Sequence, residues 1–498
     1  MRRLALLALL LVSSCTVGPN YRPPETQVPP AFAEPQPPAD QAVDLARWWN
    51  AFNDAELDRL VTTALAQNLD VRQAASRVRQ ARAGIAAARA RLLPEVDAMG
   101  NATNIHFSKN AGLSSLESLF GGSSGNSGGA SGTGSGGGGA QQGGIAPPGS
   151  GITTYAIGFD ASWEIDLFGG ARRGVEAARA RTEAAIWQAR DTQVTLAAEV
   201  ADAYLTLRTL QQREAVLRAE VARQSRALDL MVHTAQAGLV PQGDTIRQRS
   251  TLAAAEAGIE PVVAEEHIEM HALGLLVGRP PESLLAELQA PAGTTPLPPA
   301  VPPGLPSDLL RRRPDIRAAE RNLAAATADI GVAVADLYPH FSLTGVAELI
   351  STALSSLLSP HSFQSVATGQ GLFPVLDFGR RRAQVNIRKE QAQQAYLDYQ
   401  KIVLGALKDV EDALARVDAE RRRNDELRGG VADAERALAA VDARYRSGLV
   451  DLSAVLQAQQ AVLSARDTLA QSDGALRQNL VSLYKALGGG WDPEAKPA

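Results

Sequence analysis

The chain has 498 residues, room for two or three ordinary domains, and its net charge of −5 comes without any basic block, which argues against a nucleic-acid partner. Six scattered histidines and one cysteine leave little material for a metal centre or a disulfide. Aromatics are only 5% of the chain while Ala and Arg crowd long stretches of helical periodicity, a bias of long helices and coiled coils rather than of ordinary globules.

In chain order, Met1, Arg2 and Arg3 supply a positive region and Leu4 to Val12 an apolar run too short to cross a bilayer, the pattern of a secretory signal over residues 1–14. Val12-Ser13-Ser14-Cys15 resembles the bacterial lipobox, so Cys15 is expected to carry covalent lipid and become the mature N-terminus. Thr16 stands where an Asp often signals retention at the inner membrane, which favours outer-membrane anchoring. Residues 15–45 follow as a proline-rich stretch, expected to be an extended tether.

From Trp48 to Leu93 the pattern is helical, and Pro94 ends it because proline lacks the N–H that continues a helix. A weakly alternating strand is expected at about 95–107, then a loop over 108–151 that is Gly- and Ser-rich at its centre. Between Tyr155 and Leu167, apolar residues alternate with Asp160, Ser162, Glu164 and Asp166, which predicts a strand over about 152–167 with one apolar and one polar face. A very long helix follows at about 170–237, where Leu196, Val200, Ala203, Leu207 and Leu210 keep a heptad rhythm. Gly238 breaks it, and a second helix is expected at about 243–277. A proline-rich linker occupies 291–306.

The same series then returns. Phe168-Gly169 recurs as Phe378-Gly379, Asp202-Ala203 as Asp412-Ala413, and Gly238-Leu239-Val240 as Gly448-Leu449-Val450, each 210 residues on. Asp70 and Pro94 recur as Asp315 and Pro339 at an offset of 245, so 35 extra residues of the first copy lie between Pro94 and Phe168. The chain is thus two structural repeats, 46–290 and 307–490, with a tail at 491–498. The second is expected to hold strands at about 340–350 and 364–377 and helices at about 379–447 and 452–487.

Four strands with one apolar face cannot close a barrel in a bilayer, where open sheet edges are forbidden. Closure demands several chains: two give eight strands and a filled interior, three give twelve and an open, water-lined pore. The expected fold class is α+β, an outer-membrane β-barrel with four strands per chain, carried on as a helical wall into the periplasm.

At this point the chain resembles the outer membrane factor family, and within it the NodT-type efflux lipoproteins related to TolC and OprM. The resemblance rests on Cys15-Thr16-Val17-Gly18-Pro19-Asn20-Tyr21-Arg22-Pro23-Pro24, on Trp163-Glu164-Ile165-Asp166-Leu167-Phe168-Gly169, and on Arg311-Arg312-Arg313-Pro314-Asp315-Ile316. Pro339-His340-Phe341, Asp377-Phe378-Gly379 and Arg444-Tyr445-Arg446-Ser447-Gly448 fit the same pattern. It implies a trimeric twelve-stranded barrel continuous with a periplasmic α-helical coiled-coil barrel. It also implies docking to a periplasmic adaptor (membrane fusion) protein and an inner-membrane pump of RND type, so that small molecules leave by passive conduction through a gated tunnel.

The site residues follow from that reading. The turns Gly238-Leu239-Val240 and Gly448-Leu449-Val450 expose apolar side chains beside Gly, suited to adaptor docking or to a plain helix end. Asp244 resembles the acidic position that latches relatives closed, and Asp451 is the nearest acid after the second turn; both also suit helix N-caps. In register, Asp244 faces Ala454, so an asymmetric gate is expected. Tyr155 and Trp163 fit interfacial aromatic girdles or subunit packing. His267 and His271 stand four apart with no third ligand, so no metal site is expected, nor any cofactor beyond the lipid on Cys15. Asp202 and Asp412 are expected to pair with Arg neighbours. No Gly-x-Ser-x-Gly, Walker loop or His-Glu-x-x-His occurs, so an enzyme is not expected. The competing reading is a lipid-anchored coiled-coil tether, which needs no strands.

Overall fold

The computed structural model describes residues 16–35, 44–106, 151–238, 241–290, 296–298 and 304–492. The signal segment, Cys15, the Gly-rich loop, Leu239 and Val240 therefore lie outside the described residues. The chain divides into two compact units. One gathers Ala87–Arg173 and Gly331–Ala383 with the N-terminal residues up to Val17; the other holds Gly18–Ala86, Gly174–Ile330 and Gln384–Ala498.

After a 3-10 helix at Leu45–Phe52, the elements in order are α1 (Ala55–Gln67), α2 (Leu69–Ala90), β1 (Glu95–His106), β2 (Gly151–Ile165), α3 (Gly170–Gln236), α4 (Gln242–Ala257) and α5 (Ile259–Leu276). Short helices α6 (Leu285–Leu288) and α7 (Pro306–Arg312) lead to α8 (Pro314–Ala335), β3 (His340–Ser351), β4 (Phe363–Leu372), α9 (Arg380–Arg446) and α10 (Leu452–Ala486). The repeat is visible in the bounds. α3 and α9 are each 67 residues long and 210 apart, about 100 Å of helix apiece, while α2 and α8 are each 22 residues long and 245 apart.

The first unit is built on one antiparallel sheet in the order β1-β2-β3-β4. β2 runs beside β3 from Tyr155 opposite Ser351 to Ile165 opposite Phe341, joining the two repeats in one sheet. Each descending strand turns into its helix through an Asp. Asp166 accepts from the Arg172 N–H at 2.9 Å and from its guanidinium at 3.1 Å. Asp377 accepts from Gly379 at 2.9 Å and Arg381 at 3.2 Å, satisfying N–H groups that the helix start leaves free. Phe168 stacks on Tyr338 at 4.7 Å between ring centroids.

The second unit is helical, and its core is the heptad stripe. Leu196, Val200, Ala203, Leu207 and Leu210 on α3 are buried, as are Val403, Val410, Leu414 and Val417 on α9. Each fully buried Leu or Val is worth about 1.5–3 kcal/mol. Trp48 is fully buried and stacks on Tyr484 of α10 at 5.0 Å. Asp54 caps α1 by accepting from Glu56 and Leu57, and also accepts the Tyr204 hydroxyl of α3 at 2.8–2.9 Å.

The structure departs from the sequence expectations at three places. The helix expected over 243–277 is two, α4 and α5, parted at Gly258. Pro261 has no N–H to offer the Ala257 carbonyl, so the ladder is interrupted there. Its counterpart α10 has no proline and runs unbroken for 35 residues. The fourth strand stops at Leu372 instead of about 377, because Pro374 cannot donate to a ladder. The proline-rich segment is extended but not a loose tether where it is described. Tyr21 donates to Glu320 at 2.6 Å, Thr26 lies 2.8 Å from the Tyr399 hydroxyl, Glu411 accepts from Ala33 and Glu34, and Phe32 is buried.

Candidate functional site

Register sorts the sheet into two faces. Phe159 stands between Ala98 and Ala347, and Ile157 between Gly100 and Leu349, on a face that carries no charge. Phe159 is 60% exposed and Ile157 48%, a surface that water does not favour and acyl chains do. Side chains of the alternate positions share the other face. There stand Glu95 and Asp97 of β1, Asp160 and Glu164 of β2, and Glu348 of β3, among Ser, Thr, Gln and some aliphatic residues. None of the four strands contains Lys or Arg. Asp97 faces Asp160 directly, an unfavourable like-charge pair. Glu164 is 2.8 Å from the His340 ring, and Glu348 accepts from Gln364 at 2.6 Å.

The sequence exposed half of this face. Alternation in β2 showed Asp160 and Glu164, but in β1 the opposite positions hold Ala98, Gly100 and Ala102, too small to give contrast. Only pairing with β2 assigns Glu95 and Asp97. Among the described residues, the outer edges of β1 and β4 have no strand beside them. Tyr155 and Trp163 sit on the uncharged face, and the Trp163 indole donates to the Leu92 carbonyl at 3.0 Å.

At the far ends of α3 and α9, Gly238 and Gly448 adopt φ of +75° and +74°, a left-handed helix end that costs Gly nothing sterically. Leu449 donates to the Arg444 carbonyl at 2.9 Å, which closes that end, and its side chain is 70% exposed; Val450 is half-buried. The expected equivalents Leu239 and Val240 fall outside the described residues.

The two acids after the turns differ. Asp451 is the N-cap of α10, accepting from Ala454 at 3.1 Å and from the Ser453 hydroxyl at 2.8 Å. Those two donors hold its carboxyl below the usual range, with the Arg247 charge adding to them. Asp244 is no cap: α4 starts behind Pro241 without a side-chain cap, and Asp244 lies in the first turn, 3.3 Å from Arg247. Arg247 thus pairs with Asp244 while its charge also reaches Asp451, and its counterpart in the second repeat is Gln457. Sequence reasoning passed over Arg247, although its place three residues after Asp244 was the signal.

His267 and His271 are exposed, and no cluster of metal-ligating side chains occurs among the described residues. Asp412 pairs with Arg416 at 3.9 Å, as expected, and with Lys408 at 2.6 Å, but Asp202 has no ion pair among the described residues, contrary to expectation.

Comparison with known proteins agrees with this geometry. The family model described as outer membrane efflux protein matches residues 60–279 and 305–489, one stretch per repeat. The chain is 31% identical to nodulation protein T of Rhizobium leguminosarum bv. viciae, over 98% of its own length and 94% of that protein's. It is 29% identical to the pyoverdine export outer membrane protein OpmQ of Pseudomonas aeruginosa, covering 99% and 98% of the two chains. The solved outer-membrane channel OprN superposes with a TM-score of 0.82 at 33% identity, over 96% of this chain and all of that one. The Campylobacter jejuni CmeC channel shares the fold, with a TM-score of 0.81 at 21% identity over 97% of each chain. An uncharged, exposed sheet face, two open edges, paired long helices and a family match across both repeats lead to one conclusion: this chain belongs to the outer membrane efflux protein family.

Proposed function

We propose that three copies of the chain form a closed outer-membrane barrel whose acidic face lines the pore, as the exit duct of a tripartite pump. The carrying observation is the sheet: an uncharged exposed face, an acidic face and two open edges are unusable in a single chain within lipid, and are resolved by closure with further copies. A lipid-anchored tether, the rival reading, has no use for such strands. In this reading Cys15 carries the lipid, and the helix turns at Gly238 and at Gly448, Leu449 and Val450 receive a periplasmic adaptor, through which an inner-membrane pump of RND type feeds solute. Relatives named for pyoverdine and toluene export show that the family's cargo varies, so cargo choice is assigned to the pump.

Asp244 and Asp451 act at the periplasmic gate, with Arg247 ion-paired to Asp244 and its charge also felt by Asp451. In planar bilayers the purified protein is expected to open channels, and Asp244→Ala to raise single-channel conductance by freeing Arg247. A protein that opens no channels and gives no β-sheet signal refutes the duct; channels with unchanged Asp244→Ala conductance remove Asp244 from the gate.

A further inference from the structure

All four strands enter or leave their helices at one end of the sheet, and positive charge collects there. Residues 87–94, 166–173, 331–339 and 373–383, which join strands to helices, hold seven arginines against three acids, Asp166, Asp336 and Asp377. The turn between β3 and β4 at the other end, residues 352–362, holds no Lys, Arg, Asp or Glu. Three of the arginines are committed. Arg172 pairs with Asp166, Arg173 is buried and donates to the Val17 carbonyl, and Arg381 pairs with Asp377 and donates to the Asp336 carbonyl at 2.7 Å. Arg89, Arg91, Arg380 and Arg382 are exposed, and none of them has an ion pair among the described residues.

These four do little for the fold. Arg380 and Arg382 stand in the first turn of α9, which contains no acid, where the aligned peptide dipoles disfavour cations. The other repeat builds the same elements with Gly170 in place of Arg380, and with Val334 and Asp336 in place of Arg89 and Arg91. What lies beside them is apolar. Phe373 is 60% exposed, Val375 91% and Leu376 74%. The Phe373 ring meets Phe341 edge-on at 5.9 Å, and Phe341 stands opposite Ile165 on the uncharged face, so that face continues past the end of β4 toward α9. Ahead of β1, the Trp163 indole is bonded to the carbonyl of Leu92, the neighbour of Arg91. An apolar surface that ends in an indole and then in unpaired guanidiniums matches the layers of a lipid leaflet: acyl chains, interface, phosphate.

Resting on the closed-assembly reading, we propose that Arg89, Arg91, Arg380 and Arg382 bind the phosphates of anionic phospholipid headgroups in the periplasmic leaflet. The planar guanidinium fork suits a phosphate because it can donate two parallel hydrogen bonds. All four arginines belong to the outer strands: Arg89 and Arg91 lead into β1, while Arg380 and Arg382 follow β4. Closure of the sheet gathers the two pairs at each boundary between copies, so a headgroup held there bridges two subunits.

The test uses the full-length protein in detergent, mixed with phosphatidylglycerol or phosphatidylcholine at equal concentration, with bound lipid counted by native mass spectrometry. One arginine near an anionic surface gains about fivefold at low salt, and the wild type is expected to retain more phosphatidylglycerol by at least that factor. Replacing all four (Arg89→Gln, Arg91→Gln, Arg380→Gln, Arg382→Gln) is expected to abolish the preference. Arg72→Gln with Arg79→Gln, which removes two exposed arginines from the far end of α2, is expected to keep it. Equal retention of the two lipids by the wild type, or an undiminished preference in the fourfold variant, overturns the lipid contact. The same loss in the Arg72, Arg79 variant also overturns it, by showing diffuse attraction to a basic helix. If the fourfold variant does not assemble, Arg89→Gln with Arg91→Gln and Arg380→Gln with Arg382→Gln are each expected to lower the count of bound phosphatidylglycerol, and an unchanged count in both overturns the contact. A wild type that keeps the preference but runs as a monomer on native gels supports the arginine contact and overturns the bridged boundary together with the closed assembly.

Discussion

Asp54 shows how much one carboxylate ties together: two free N–H groups at the start of α1 and a tyrosine hydroxyl on α3. Losing an N-cap costs about 1 kcal/mol, and stranding a buried hydroxyl about 1–3 kcal/mol. Asp54→Ala is therefore expected to cost roughly 2–4 kcal/mol by denaturant unfolding, and Tyr204→Phe less. Equal losses in the two variants would put the whole effect on the hydroxyl and none on the cap. Local chemistry of this kind is what sequence makes legible: Asp451 reads as a cap because its partner is three residues away. The Asp54–Tyr204 bond spans 150 positions and had no local signal. Glu95 and Asp97 were hidden for a different reason, since a strand's facing is decided by the strand it pairs with.

At the scale of helices, the α3–α5 contact contains an unusual carboxyl. Glu266 is buried, and its pKa is pushed from the ordinary 4.5 up to about 7, first by that burial and then by Glu214 of α3, with Arg218 pulling the other way. The folded state thus holds this proton more tightly than the unfolded chain does. Between pH 4.5 and about 7 the folded protein binds more protons, so stability falls as pH rises through that window and stays reduced above it. Thermal melts followed by the helical signal should show a decline from pH 4.5 to about 7 that flattens in Glu266→Gln. A variant that tracks the wild type at every pH would remove Glu266 as the cause. Element lengths were largely legible, because a heptad rhythm and a glycine stop are written locally. The division of α4 from α5 lies at the donor missing from Pro261, a signal that the single helix expected over 243–277 leaves out.

For the whole molecule, the acidic face matters more than any single residue on it. Three copies would set Glu95, Asp97, Asp160, Glu164 and Glu348 around one aqueous lumen with no Lys or Arg from the strands to balance them. Such a lining attracts cations and repels anions. Reversal potentials in a salt gradient should report cation preference, and replacing Asp97 and Asp160 together by Asn should weaken it. An anion-preferring wild-type channel would contradict the assignment of that face to the pore. The open edges are the counterpart of what sequence could state, since period-2 alternation implied closure by other copies but left their number open, with twelve strands favoured by pore width.

The break at Gly258 carries a mechanical consequence. α10 is an uninterrupted rod, whereas its equivalent is two shorter rods with a missing hydrogen bond at the joint. In the proposed wall of three chains, stiff and jointed staves would alternate. A load applied at the helix turns would then be absorbed at every second stave, and the wall would deform toward a three-cornered outline rather than a round one.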